Sequence, residues 1–120
     1  MKYATRLNSF ASRPEKFWGK ANYKPSALEL IQRASKVNGL SEVDLNFPDH
    51  FAGTKPEEII FGARDLGLTV NGLAMRYYSE PEFKLGAFTN PESRVRRAAI
   101  DLTKRAVSYT HLTLPTICSV

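Results

Sequence analysis

The sequence predicts an α/β fold assembled from three consecutive strand–helix units. Segments with apolar residues at every second position give way, three times over, to segments whose apolar residues recur at helical spacing. The expected strands start near residues 3, 40 and 68. A strand that runs parallel to its predecessor needs a helix-length crossover, and the intervals between these starts supply one each time.

The first strand is expected over residues 3–10, which carry Tyr3, Thr5, Leu7 and Phe10. A loop with Pro14, Gly19 and Pro25 follows. The first helix is expected over residues 27–37. Ser26 is its N-cap, Ala27, Leu30, Ile31, Ala34 and Val37 form its apolar stripe, and Gly39 stops it. The second strand spans residues 40–47, with Val43, Leu45 and Phe47 alternating against Glu42, Asp44 and Asn46 until Pro48 ends it. Thr54, Pro56 and Glu57 predict a capping box at the start of the second helix. Ile59, Ile60 and Ala63 are its buried face, and Gly67 closes it. The third strand is expected over residues 68–75, followed by a loop with Tyr77, Tyr78, Pro81, Gly86 and Phe88. Asn90 and Pro91 open the third helix, and Val95, Ala98, Ala99, Leu102 and Ala106 fall at its inward positions. Arg97 with Asp101, and Asp101 with Arg105, are opposite charges four residues apart on its outer side.

Composition narrows the classes. The chain has 120 residues, 42% hydrophobic and 24% charged, which suits one small domain or part of a larger one and excludes a disordered or collagen-like chain. No apolar run approaches the roughly 18 residues of a membrane span. No secretory leader is visible after Met1, so a cytoplasmic setting is expected. Cys118 is the single cysteine, which rules out an internal disulfide framework and a cysteine-built zinc cluster. The net charge of +5 permits contact with phosphates or nucleic acid without requiring it. The densest basic group, Arg94, Arg96, Arg97, Lys104 and Arg105, sits on the third expected helix and reads as a solvated face.

Order and wording of the motifs resemble a known superfamily. Residues 35–50, Ser-Lys-Val-Asn-Gly-Leu-Ser-Glu-Val-Asp-Leu-Asn-Phe-Pro-Asp-His, resemble the second unit of the xylose isomerase-like TIM barrels, with Gly39, Leu40, Val43, Leu45, Pro48 and His50 matching and Asp44 where Glu is usual. Lys-Pro-Glu-Glu-Ile and Leu-Gly-Leu-Thr-Val, within residues 55–70, are similar to the helix and strand that follow. Residues 90–106 are similar to the third-unit helix, most specifically at Arg97, Ala98, Ala99, Ile100, Asp101 and Lys104. The resemblance covers residues 1–107. A complete barrel of this kind takes about 250 residues, roughly 31 per unit, so it implies the first three βα units of a (β/α)8 barrel, left incomplete.

That superfamily implies a parent protein that interconverts an aldose and a ketose, or epimerises a ketose, with a divalent metal such as Mg, Mn, Co or Zn. The expected partner is a small sugar or sugar phosphate, and the parent is expected to be a homo-oligomer. The family's metal ligands lie on later strands, so no metal is expected to be held by this chain and no catalytic ligand can be named in it. An inert or merely binding fragment is the alternative. The superfamily's abasic-site endonuclease branch carries zinc-binding His in its third unit, whereas residues 71–78 contain none, so nucleic acid is not the expected partner.

Chemistry in a βα barrel sits at the C-terminal strand ends. These ends are expected at Asn8, Ser9 and Phe10, at Asn46, Asp49 and His50, and at Met75, Arg76 and Tyr77. In the sugar isomerases that this chain resembles, a His after the second strand often bonds the sugar ring oxygen or helps to open the ring, which implicates His50 beside Asp49. The other reading of His50 is an exposed loop residue. Phe17 and Trp18, after the first strand, could face a sugar ring or pack the loop onto the rim. Arg76 could meet a substrate phosphate or carboxylate, or pair with Glu80 or Glu82.

Charge stops at Arg105: residues 106–120 lack Asp, Glu, Lys and Arg. Within them, Ser-Tyr-Thr-His-Leu-Thr-Leu-Pro-Thr at 108–116 resembles the peptide read from a common short-read sequencing adapter. Residues 108–120 are therefore expected to be a non-native tail. The competing reading is a fourth strand, against which Pro115 argues.

Overall fold

Three apolar side chains on one strand organise the molecule. Val43, Leu45 and Phe47 are fully buried, and each contributes about 1.5–3 kcal/mol by leaving water. Their strand, β2 (Leu40–Phe47), is central in a parallel sheet of order β1-β2-β3, with β1 (Tyr3–Arg6) and β3 (Thr69–Met75) on its flanks. The structure, a computed structural model, describes residues 1–111. Four helices accompany the sheet: α1 (Pro14–Phe17), α2 (Ala27–Ala34), α3 (Pro56–Asp65) and α4 (Ser93–Thr110). The fold is thus mixed α/β with parallel strands, as the alternation of periods predicts.

The core lies between the helices and one face of the sheet. Leu30, Ile31 and Ala34 of α2, Ile59 and Ala63 of α3 and Ala106 of α4 pack with Val43, Leu45 and Phe47. A satellite cluster of Phe83, Val95 and Ala99 anchors the β3–α4 connection to α4. Inside that connection, Asn90 is buried and bonded at both ends of its amide. Its Nδ2 donates to the Gly86 carbonyl at 2.8 Å, and its Oδ1 accepts from the Glu92 N–H at 2.9 Å.

Several boundaries differ from the sequence-based expectation. The first strand stops at Arg6, and Leu7–Ala11 coil into a 3-10 helix. Leu7 is fully buried there, so burial of its side chain, not strand pairing, places this segment. The first long helix ends at Ala34 and leaves Val37 45% exposed. Helix α3 has Lys55 at the N-cap with no side-chain cap bond. Pro56 takes the first helical position, which moves Thr54 one residue out of capping range. The capping box belongs to α2 instead, where the Ser26 hydroxyl accepts from the Glu29 N–H at 3.3 Å and Glu29 returns a bond to the Ser26 N–H. Glu29 also accepts from the Tyr23 hydroxyl at 2.6 Å, and that bond holds its carboxyl below the ordinary range.

Helix α4 starts at Ser93 rather than at Pro91, because Asn90 spends its side chain on the turn before it. It runs on to Thr110, three residues past the boundary at 107. Tyr109 meets Phe47 and Phe51 edge-on, with ring centroids 5.2 and 5.1 Å apart. The remainder of the expected tail, from residue 112, lies outside the described residues. A groove of about 290 Å³ follows the outer edge of β3, which pairs with no strand among the described residues, and is bordered by Val70, Leu73, Ile60 and Tyr109. Among the described residues, no helix is long and apolar enough to cross a membrane.

Candidate functional site

Side chains alternate across a strand, so the face opposite the core carries the residues between the buried ones. Register pairs Ala4 with Glu42, Arg6 with Asp44, and Asn46 with Ala74. Between Val70 and Gly72 the β2–β3 pairing slips by one residue. The extra residue is Asn71, whose Nδ2 donates to Asp44 Oδ1 at 3.0 Å. The result is a polar face of Arg6, Glu42, Asp44, Asn46 and Asn71, with small Gly72 and Ala74 beside them. A parallel sheet covered on both faces reads as a near-continuous apolar run. This one is apolar on one face only.

The polar groups gather at the C-terminal end. Asn46 is 1% exposed, and its Oδ1 accepts from the Arg6 guanidinium. After Phe47 and Pro48 the chain turns through a short 3-10 helix, Asp49–Phe51, closed by the Phe51 N–H on the Pro48 carbonyl at 2.9 Å. That turn carries the His50 ring back over the strand end, where Nδ1 accepts from the Asn46 backbone N–H at 2.7 Å. Asn46 lies beyond the last β1–β2 pair, Arg6 with Asp44, and the imidazole satisfies a strand-end donor. From β3, the Arg76 N–H donates to the Phe47 carbonyl at 2.9 Å, which sets the Arg76 side chain beside Asp49. Nε and Oδ2 are 3.5 Å apart, an ion pair too loose to count as a hydrogen bond, so the buried Nε has no hydrogen-bond partner. The guanidinium carbon lies 5.0 Å from the centre of the Tyr78 ring.

These surroundings set the state of His50. Burial pushes its pKa below the ordinary 6.5; Asp49 opposes this, and the positive charges of Arg76 and Arg6 reinforce it. At neutral pH the ring is uncharged. Because Nδ1 is an acceptor, the proton is assigned to Nε2, which is left as a donor. The strand ends therefore present a neutral N–H donor in the field of two guanidinium groups, beside the polar face.

The structure brings together three of the residues expected from sequence: Asp49, His50 and Arg76. His50 is half-buried and bonded, not a free loop residue, and Arg76 pairs with Asp49 rather than with Glu80 or Glu82. Trp18 is occupied elsewhere. Its Nε1 donates to the Phe10 carbonyl at 2.9 Å, and the Arg33 guanidinium covers its ring at 3.8 Å, so it pins the loop after β1 against α2. Phe17 is 58% exposed at the end of α1. Asn8, Ser9 and Phe10 belong to the 3-10 helix and do not form the strand end.

Sequence reasoning passed over Arg6 as a site residue. Placing the end of the first strand at residues 8–10 hid it, although a lone arginine in a short apolar strand was a usable signal. No group of three or more His, Cys, Asp or Glu side chains that could hold a metal occurs among the described residues. Asp49 faces Arg76, and Asp44 is bonded to Asn71. The chain matches no protein-family model and no curated protein.

Proposed function

We propose that the chain is the opening three βα units of a xylose isomerase-like (β/α)8 barrel, and that the complete barrel is a divalent-metal-dependent sugar isomerase or epimerase. The observation that carries this reading is the strand-end cluster. In βα barrels, substrate sits at the C-terminal ends of parallel strands, and His50 with its neutral Nε2–H is held at that end of β2. The outer edge of β3, open among the described residues, also supports it. Helix α4 ends at Thr110 beside the groove along that edge, where a further parallel strand would continue the sheet.

In the superfamily that the chain resembles, the metal ligands lie on later strands, so a divalent metal of the parent would be held there. What this chain supplies is positioning. The Nε2–H of His50 donates to a substrate oxygen, and the Asn46 N–H fixes the orientation of the ring. The test is expression of the longer gene product and assay of aldose–ketose and ketose epimer exchange with Mg²⁺, Mn²⁺ or Co²⁺. The expected result is metal-dependent turnover that His50→Asn lowers at least tenfold. A longer product that converts no sugar with any of these ions overturns the reading.

A further inference from the structure

Two features of the strand-end cluster leave donors for a ligand. The first is Arg6, an exposed side chain. Its guanidinium has five N–H donors, yet its side-chain hydrogen bond goes to a neutral amide, Asn46 Oδ1. Among the described residues no carboxylate lies within ion-pair distance of it; the ion pairs there are Arg76 with Asp49 and Arg94 with Glu92. Its register partner Asp44 accepts instead from Asn71 Nδ2 at Oδ1. The second is Arg76, whose Nε is buried without a hydrogen-bond partner. Buried donors are nearly always satisfied, and an orphan calls for an acceptor. Arg6 bonds the Asn46 side chain, His50 bonds the Asn46 N–H, and Arg76 bonds the carbonyl of the next residue, Phe47, so the three residues share one neighbourhood.

We propose that Arg6, Arg76 and the Nε2–H of His50 form a receptor for one oxyanion, a phosphate or carboxylate group on the substrate. The proposal rests on the sugar-enzyme reading only in calling the ligand a sugar derivative, which becomes a sugar phosphate or a sugar acid instead of a neutral sugar. Guanidinium suits this work, because its planar fork matches the two oxygens of either group and its bonds to them are charge-assisted. Asp49 prevents a surplus of positive charge when the site is empty, and its loose 3.5 Å contact leaves Arg76 free to turn toward a better acceptor. A neutral His50 adds a donor without adding a third positive charge.

The experiment is a titration of the isotope-labelled 120-residue chain, followed by magnetic resonance of the arginine Nε–H groups and backbone amides. The probes are inorganic phosphate, glycolate, and sodium chloride at matched ionic strength. Saturable shifts are expected at Arg76 Nε–H and at the Asn46 amide that bonds His50, with phosphate or glycolate and not with chloride. Tighter phosphate binding identifies a phosphate ester; tighter glycolate binding identifies a sugar acid. Arg6→Met and Arg76→Met should each weaken binding about tenfold, the loss of a charge-assisted bond. Arg6→Lys, which keeps the charge but not the fork, should give a smaller loss. Arg94→Met, at an exposed ion pair, should leave binding unchanged. An equal response to chloride, no saturable response in the native chain whatever the cause, or full binding by both Arg6 variants overturns the proposal. The two readings fail separately. Oxyanion binding through Arg6 in a longer protein that converts no sugar removes the isomerase reading alone. Turnover of a neutral sugar undiminished by Arg6→Met removes the oxyanion receptor alone.

Discussion

Along β2, residues one position apart lead opposite lives. Val43, Leu45 and Phe47 are sealed beneath α2, α3 and α4, whereas Glu42, Asp44 and Asn46 belong to the opposite, polar face, where Asn46 alone of the three is buried. The first face accounts for stability, since its side chains leave water and touch one another. The second accounts for chemistry: Arg6, Asn46, His50 and Arg76 are linked there by directional bonds at a strand end. A ligand can reach such a face without disturbing the core, so demands of packing and of binding fall on alternate residues.

The largest effect is expected on the covered face. Phe47→Ala removes a fully buried ring that meets both Phe51 and Tyr109, and should cost about 3–5 kcal/mol in denaturant unfolding. Asp44→Ala, on the other face, loses one exposed bond to Asn71 and should cost under about 1 kcal/mol. Equal costs would erase the distinction between the faces.

His50 lies where the two roles meet. His50→Ala strands the Asn46 N–H and should cost about 1–3 kcal/mol. His50→Asn offers an acceptor near the Nδ1 position and should melt close to the native protein. If the two variants melt alike, the ring's bond to Asn46 contributes nothing to stability and the site is not tied to the sheet.

The capping positions offer a smaller test. Ser26→Ala should cost about 1 kcal/mol through loss of the capping box, and Thr54→Ala should fall within about 0.5 kcal/mol of native. The reverse order in thermal unfolding would restore the cap expected from sequence on α3.

The mildest effect is on pH dependence. Folding lowers the pKa of His50, so below its ordinary 6.5 the unfolded chain takes up the proton more readily than the folded one. The stability linked to His50 is complete above that value and is lost as pH falls toward the folded pKa. Melting temperature should decline from pH 7.5 to 5.5, and His50→Asn should flatten the decline. An identical slope in the variant would show that another group titrates.

Much of this was legible in residue order, for local reasons. β2 falls at residues 40–47 as expected, because strict alternation defines its length and Pro48 ends it. The inward residues of α3 and α4 follow from helical spacing alone. Local patterns misled where a distant contact competes. Tyr3 to Phe10 has strand composition, but the buried seat of Leu7 turns the chain after Arg6. Thr54 and Glu57 have the spacing of a capping box, but Pro56 resets the helix start.

The sequence by itself determined the parallel α/β class, the apolar face of each main element and the placement of His50 just after a strand. Periodicity and punctuation are properties of neighbouring residues, and they are enough for that. Only the tertiary structure decided which polar groups meet. Arg6, Asn46, His50 and Arg76 come from three strands and the segments that follow them, and their association depends on register and on two slipped residues, Ser41 in β2 and Asn71 in β3. A shift of one residue in either pairing would turn Arg6 or Asn71 to the opposite face. Spacing along the chain contains no record of that choice, because register is settled by packing across the sheet.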